Sequence, residues 1–183
     1  MSSENPLAKF VEMAFEMYTS FQEDAKSLKA EIKNKREELQ KLLQDSSFSI
    51  TDDIRLLMEE IFILKSQKLE YKKLLYHLNR LIDHIHDPDV SNKQYAMESF
   101  EIIIWLLRKI KKVKHLIRFK EALISMFGEQ YLENILLFNT FNLQQLEKEL
   151  EPKYGDQAIK RYIDKIKKKY LKINQPINMT APP

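Results

Sequence analysis

Cysteine is absent from this chain, and glycine occurs only at positions 128 and 155. Without a thiol there is neither a disulfide frame nor a thiolate metal site, as expected of a protein kept in a reducing compartment. Two glycines cannot supply the turns and bulges that a sheet-rich fold consumes. They also cannot build a phosphate-cradling loop or the flanks of a nucleophile elbow. Long apolar runs are missing too, since none approaches the roughly 20 residues that cross a bilayer. The opening Met1-Ser2-Ser3-Glu4-Asn5-Pro6 has no basic-then-apolar leader pattern. The expectation is a soluble, cytosolic, all-α protein without a catalytic centre or cofactor.

What is present is 44% hydrophobic and 31% charged, in a length of 183 residues that suits one domain burying about 70% of its unfolded surface. The stretch from Val11 to Ile85 carries two sets of apolar positions in sevens. The first set is Val11, Ala14, Tyr18, Phe21, Ala25, Leu28, Ile32, Lys35, Leu39 and Leu42; the second is Ile54, Leu57, Ile61, Leu64, Lys68, Tyr71, Leu75, Leu78, Ile82 and Ile85. A stripe every 3.5 residues lets two helices wrap with their apolar edges together. The link Gln44–Ile50 is short enough to demand a tight reversal, so the spacing predicts a long antiparallel helical hairpin. Thr51 followed by Asp52 and Asp53 marks the start of the second arm. Asp87-Pro88-Asp89 marks its end near His86.

Three or more shorter helices are expected to pack on this hairpin. Ser91 and Gln94 have capping-box spacing, and Phe100 to Leu107 is apolar nearly all round, a plug for the open side of the hairpin. Val113, Leu116, Ile117, Ala122, Leu123 and Phe127 carry the apolar pattern into a fourth helix, whose junction with the third near Lys109–Lys112 the sequence leaves open as joined or kinked. Tyr131 to Leu137 continue it past Gly128, Asn139 to Asn142 break it, and Leu143 to Leu150 can form a short extra helix. Asp156 caps a last helix with Ile159, Tyr162, Ile163, Ile166 and Tyr170 along one face. Residues 1–172 are read as a single helical domain and 173–183, with three prolines, as an extended tail.

The net charge of +3 hides uneven blocks. Residues 1–24 are acidic, whereas every charged side chain between Glu101 and Glu121 is positive. Lys160 to Lys172 adds a second basic block against Asp164 alone. Such fields attract phosphates, on lipid or nucleic acid, or an acidic partner, and they also occur as ordinary solvated faces. Chemistry is otherwise sparse. His77 and His84 lie seven apart with Asp83 and Asp87 close by, but the spacing fits no dedicated metal motif, and surface histidines are the plainer reading.

The C-terminal half resembles a known family. Ile104-Trp105, then the run Lys160-Arg161-Tyr162-Ile163-Asp164-Lys165-Ile166, Lys169-Tyr170 and Pro176 are similar to the core domain of the increased sodium tolerance family, ESCRT-III-like regulators of membrane remodelling. Lys65 to Ile82, with Leu74-Leu75 and Leu81-Ile82 on the leucine clusters, falls on that family's second helix, and Lys29 to Leu43 on the lysine-rich end of its first. The resemblance spans about residues 25–183. It implies a last helix that docks across a long hairpin. It also implies an ESCRT-III partner of the charged-multivesicular-body type, and an influence on the AAA ATPase that dismantles ESCRT-III polymers, directly or through that partner. Recruitment to endosomal membranes, self- or co-polymerisation and no nucleic acid follow in the same way.

On that basis the partner-binding residues are Tyr71, Leu75, Tyr162, Ile166 and Tyr170. The charges expected to face membrane or polymer are Lys26, Lys29, Lys33, Lys35, Arg36, Lys41, Arg108, Lys109, Lys111 and Lys112. Two departures from the family pattern stand out. The first helix opens acidic instead of basic, and the chain stops at Pro183 where the family continues into short ATPase-recruiting motifs. A basic nucleic-acid binder and a plain coiled-coil adaptor are the rival expectations.

Overall fold

A computed structural model describes residues 5–86, 90–130, 140–151 and 155–174. Among the described residues the full-length helices are α1 (Pro6–Asp45), α2 (Asp52–His84), α3 (Val90–Lys109), α4 (Val113–Phe127), α5 (Thr140–Leu150) and α6 (Asp156–Asn174). No strand occurs among the described residues. At 40 residues, α1 is far longer than the usual globular helix of about 11–12. Thr51 caps α2 as its hydroxyl implies, with Oγ1 accepting from the Ile54 N–H at 3.3 Å and Asp52 and Asp53 in the first turn.

The helix ends hold a feature that the scarcity of glycine hides. At the end of α1, the Phe48 N–H donates to the Leu43 carbonyl at 2.7 Å and the Ser47 N–H to that of Gln44 at 3.2 Å. At the end of α3, Lys112 donates to Leu107 at 3.0 Å and Lys111 to Arg108 at 3.2 Å. Both are Schellman closures, which place one residue in the left-handed region and favour glycine there. Here Ser47 (φ 54°) and Lys111 (φ 60°) take that place. The Lys111 reversal separates α3 from α4, a junction the sequence left open.

Two compact units divide the chain: Met1–Lys29 with Ser66–Glu151, and Ala30–Lys65 with Pro152–Pro183. The first unit has a core rich in rings. Phe10 lies 5.9 Å from Phe100, edge to face, and 5.6 Å from Phe119, ring centre to ring centre. Around them are Met17 and Phe21 of α1, Leu74, Leu78 and Leu81 of α2, Ile103, Leu106 and Leu107 of α3, and Leu123 of α4. The all-round apolar stretch of α3 is therefore buried on several sides, as its pattern predicts.

The second unit has a smaller core: Leu39 and Leu43 of α1, Ile54, Leu57, Met58 and Ile61 of α2, and Ile159 and Ile163 of α6. Within it Lys35 Nζ reaches Glu60 at 3.0 Å, and in the first unit Phe21 meets Tyr71 at 5.9 Å. In each unit, the α1 and α2 residues that meet are those an antiparallel pairing brings together.

Several sequence expectations are corrected. The buried stripe of α1 in the first unit is Phe10, Met13, Ala14, Met17 and Phe21, while the heptad positions Val11 and Tyr18 are only half-buried. The reason is that α1 shares this core with α3 and α4 as well as α2, so its apolar face is wider than a two-helix seam. On α2, Leu74 and Leu81 are fully buried beside half-buried Leu75 and Ile82, for the same reason. α4 stops at Phe127 instead of continuing, because Gly128 (φ 90°) turns the chain out of the helix; Tyr131 to Leu137 lie outside the described residues. The Ser91 and Gln94 side chains lie outside them too, as do 175–183 of the expected tail, while α6 itself runs on to Asn174.

Candidate anion-binding groove

The last helix starts with Asp156 in its first turn, where a carboxylate opposes the positive end of the helix dipole. Asp156 is bound by the Arg55 guanidinium instead of capping the helix with its own side chain. Spacings of three and four then put Ile159, Tyr162, Ile163 and Ile166 on one face. Ile159 and Ile163 are buried in the second unit's core, and Tyr162 and Ile166 pack at its edge. Tyr162 meets Phe62 edge to face at 5.6 Å, and Tyr170 meets Phe48 at 5.5 Å. Of the five residues expected on this face, Ile159 and Ile163 make the deepest contacts, and Tyr162 and Ile166, assigned from the sequence to a partner, are only partly buried.

Beside this seam lies a groove of about 340 Å³. α1 supplies Lys33, Arg36, Glu37 and Gln40; α2 supplies Lys65, whose Nζ stands 4.9 Å above the Tyr162 ring. α6 supplies Tyr162, Lys165, Ile166, Lys169 and Tyr170. Five cations against the single carboxylate of Glu37 leave an excess of four positive charges in one concavity. Among the described residues, Lys33, Arg36, Lys165 and Lys169 have no carboxylate partner. Cations from α1, α2 and α6 thus line one concavity together with two phenol rings and an isoleucine.

The other predicted charges fare differently. Lys35 is held by Glu60, and that hydrogen bond raises its pKa. Lys41 is exposed in the second unit. In the first unit Lys29 is exposed, and Lys26 reaches Glu23 at 3.4 Å on the same helix. Arg108 and Lys111 are exposed, whereas Lys109 stands 4.9 Å over the ring of Trp105. Lys112 is paired with Asp24 and Arg118 with Glu16, each at 3.2 Å. The acidic opening of α1 and the basic run of α4 therefore partly cancel.

Tyr71 and Leu75 belong to the first unit, and the other three predicted partner residues to the second. Tyr71 is buried against Phe21, and Leu75 packs partly buried on the same core. Burial, the nearby charge of Asp24 and a hydrogen bond to its carboxylate push the Tyr71 phenol up to about 12. His77, read from the sequence as a surface histidine, is buried, with Nδ1 unbonded among the described residues. Burial first, then the charges of Arg80 and Lys73, lower its pKa to about 4. Glu70 is a second buried ionisable side chain that sequence reasoning missed; burial raises its pKa, against the pull of Lys109. Both flank the predicted stripe, next to Tyr71 and Leu78, and are buried because the covered face of α2 is wider than a two-helix seam.

Among the described residues no helix is long and apolar enough to cross a membrane, and no group of three or more His, Asp or Glu side chains is placed to hold a metal ion. No family model, curated protein or solved structure matches this chain.

Proposed function

We propose that this chain is a non-catalytic, ESCRT-III-like assembly protein. In this reading it binds an ESCRT-III subunit of the charged-multivesicular-body type, influences the AAA ATPase that dismantles ESCRT-III polymers, and acts at the anionic surface of endosomal membranes. The observation that supports it best is the seating of α6 on the α1 and α2 arms of the second unit through Ile159 and Ile163. A closing helix docked on a helical hairpin is what the resemblance of residues 160–170 requires. The long α1 and the buried Ile104 of the Ile104-Trp105 pair agree with it. A groove beside a docked amphipathic helix is also a common receptor for a partner's helix.

The test is capture of the helical C-terminal tail of a charged-multivesicular-body subunit by the full chain. Ile166→Asp is expected to abolish capture while lowering Tm less than Ile163→Asp, because Ile166 is only half-buried. Capture that survives in an Ile166→Asp variant with an unchanged melt removes the support that α6 gives to this reading. The rival reading, a nucleic-acid binder built on Arg108 to Lys120, is weakened by the carboxylates that already occupy Lys112 and Arg118. A duplex-DNA shift assay beside the capture experiment separates the two.

A further inference from the structure

We propose that the groove of the second unit binds a compact polyphosphate of the inositol-phosphate class, either free or as the headgroup of a lipid. The inference rests on the groove's charges and dimensions and not on the ESCRT-III-like reading. A chain that captures the subunit tail yet ignores the polyphosphate loses this inference alone.

Charge sets the class of ligand. An excess of four positive charges converges on about 340 Å³, and a phosphomonoester carries about −1.5 to −2 at neutral pH. Two or three such groups on one small molecule match the groove; a single carboxylate or phosphate does not. Arg36 offers a planar fork suited to two phosphate oxygens, and the lysines act as point charges around it.

Length sets the shape. Lys33 to Gln40 covers eight residues of α1, seven steps of 1.5 Å or about 10 Å, and Lys165 to Tyr170 is shorter still. A nucleic-acid strand is held by a positive track that follows its backbone over many nucleotides, and two helical turns do not provide one. The floor also fits: Ile166 and the rings of Tyr162 and Tyr170 give a carbon ring something to lie on while its phosphates reach the rim.

Some cations of the chain are engaged by carboxylates of the protein itself: Lys73, Lys112 and Arg118 in the first unit, Lys35 and Arg55 in the second. Among the described residues the groove's Lys33, Arg36, Lys165 and Lys169 have no such partner. Bringing five cations together against one carboxylate raises the energy of the empty site, and an anion of matching charge relieves it.

The experiment is calorimetry on the full chain with soluble inositol 1,4,5-trisphosphate, beside flotation on vesicles holding a phosphatidylinositol bisphosphate or phosphatidylserine at matched surface charge. Lys165→Glu with Lys169→Glu is the groove pair. Lys160→Glu with Lys168→Glu, also exposed on α6 but outside the groove, is the control with the same change in net charge. The groove pair is expected to weaken binding at least tenfold and the control pair less than threefold, with both melting like the parent. Lys33→Gln with Arg36→Gln on α1 repeats the test without touching α6. Binding of the soluble trisphosphate identifies a free ligand as sufficient. Binding only on phosphoinositide vesicles, above phosphatidylserine, identifies the lipid as the source. Equal losses in groove and control pairs overturn the proposal. So do equal affinities for both kinds of vesicle without trisphosphate binding, or a groove that takes an acidic helical peptide and not the trisphosphate.

Discussion

The two units use the same raw material, long amphipathic helices crowded with lysine, to opposite ends. In the first, Phe10, Phe100 and Phe119 fill a ring-rich core, and Lys112 and Arg118 are matched to Asp24 and Glu16. In the second, aliphatic side chains fill a smaller core, and the cations of α1 and α6 collect around a groove with Glu37 as the only acid in its lining. The difference teaches that a basic run in a sequence has no meaning until its counter-charges are located. Arg108 to Lys120 is the denser block to the eye, yet it is the one partly neutralised from within.

Substitutions that break this contrast should differ in size. The largest effect belongs to the first core: Phe100→Ala removes a fully buried ring that touches Phe10, Phe119 and Phe127. It should cost about 3–5 kcal/mol in urea unfolding, against about 2–4 kcal/mol for Ile163→Ala in the second core. Equal losses would erase the distinction between a ring-packed and a lightly packed unit.

Next comes acid. His77 is neutral in the folded first unit until about pH 4, while an unfolded histidine gains its proton near pH 6.5. The unfolded state therefore binds more protons between those values, so His77 lowers stability as pH falls through that window. The linked loss at pH 5 is about 2 kcal/mol. His77→Gln should shrink the difference between melts at pH 7.5 and pH 5.0. An unchanged difference would mean that the histidine is solvated.

Smaller effects sharpen the electrostatic half of the comparison. Double-mutant cycles on Lys112 with Asp24 and on Arg118 with Glu16 should give coupling of about 0.5–1 kcal/mol. The first pair should be the stronger, since its side chains are 36% and 35% exposed against 57% and 56% for the second. Cycles that return zero for both would leave the basic run as open as its sequence implies. The smallest change is a gain: Ser47→Gly and Lys111→Gly each put glycine where φ is positive and should raise stability by about 0.5–1 kcal/mol in thermal melts.

Much of the fold was legible from local chemistry. Thr51 with its two aspartates, the all-apolar stretch of α3, and the face of α6 follow from hydrogen-bonding groups and periodicity within a few residues of one another. The errors have a common cause. The heptad template assumes two helices, so it ranked Val11 and Tyr18 above Met13 and Met17 and left His77 outside, because it could not include the pressure of α3 and α4. The helix closures at Ser47 and Lys111 were invisible for a different reason: glycine advertises a left-handed residue, and here serine and lysine do the work.

The groove was half legible, since Lys33, Arg36 and the Tyr162 stripe were marked, while Lys165 and Lys169 were seen only as part of a block. Hydrogen-bond satisfaction and apolar spacing act over one or two turns, so the sequence by itself determined the helices, most of their ends and the stripes they bury. Charge pairing acts through space between residues as far apart in the chain as Arg118 and Glu16, separated by 102 positions. Which cations are cancelled and which are left to face a ligand was decided only when the tertiary structure brought those helices together.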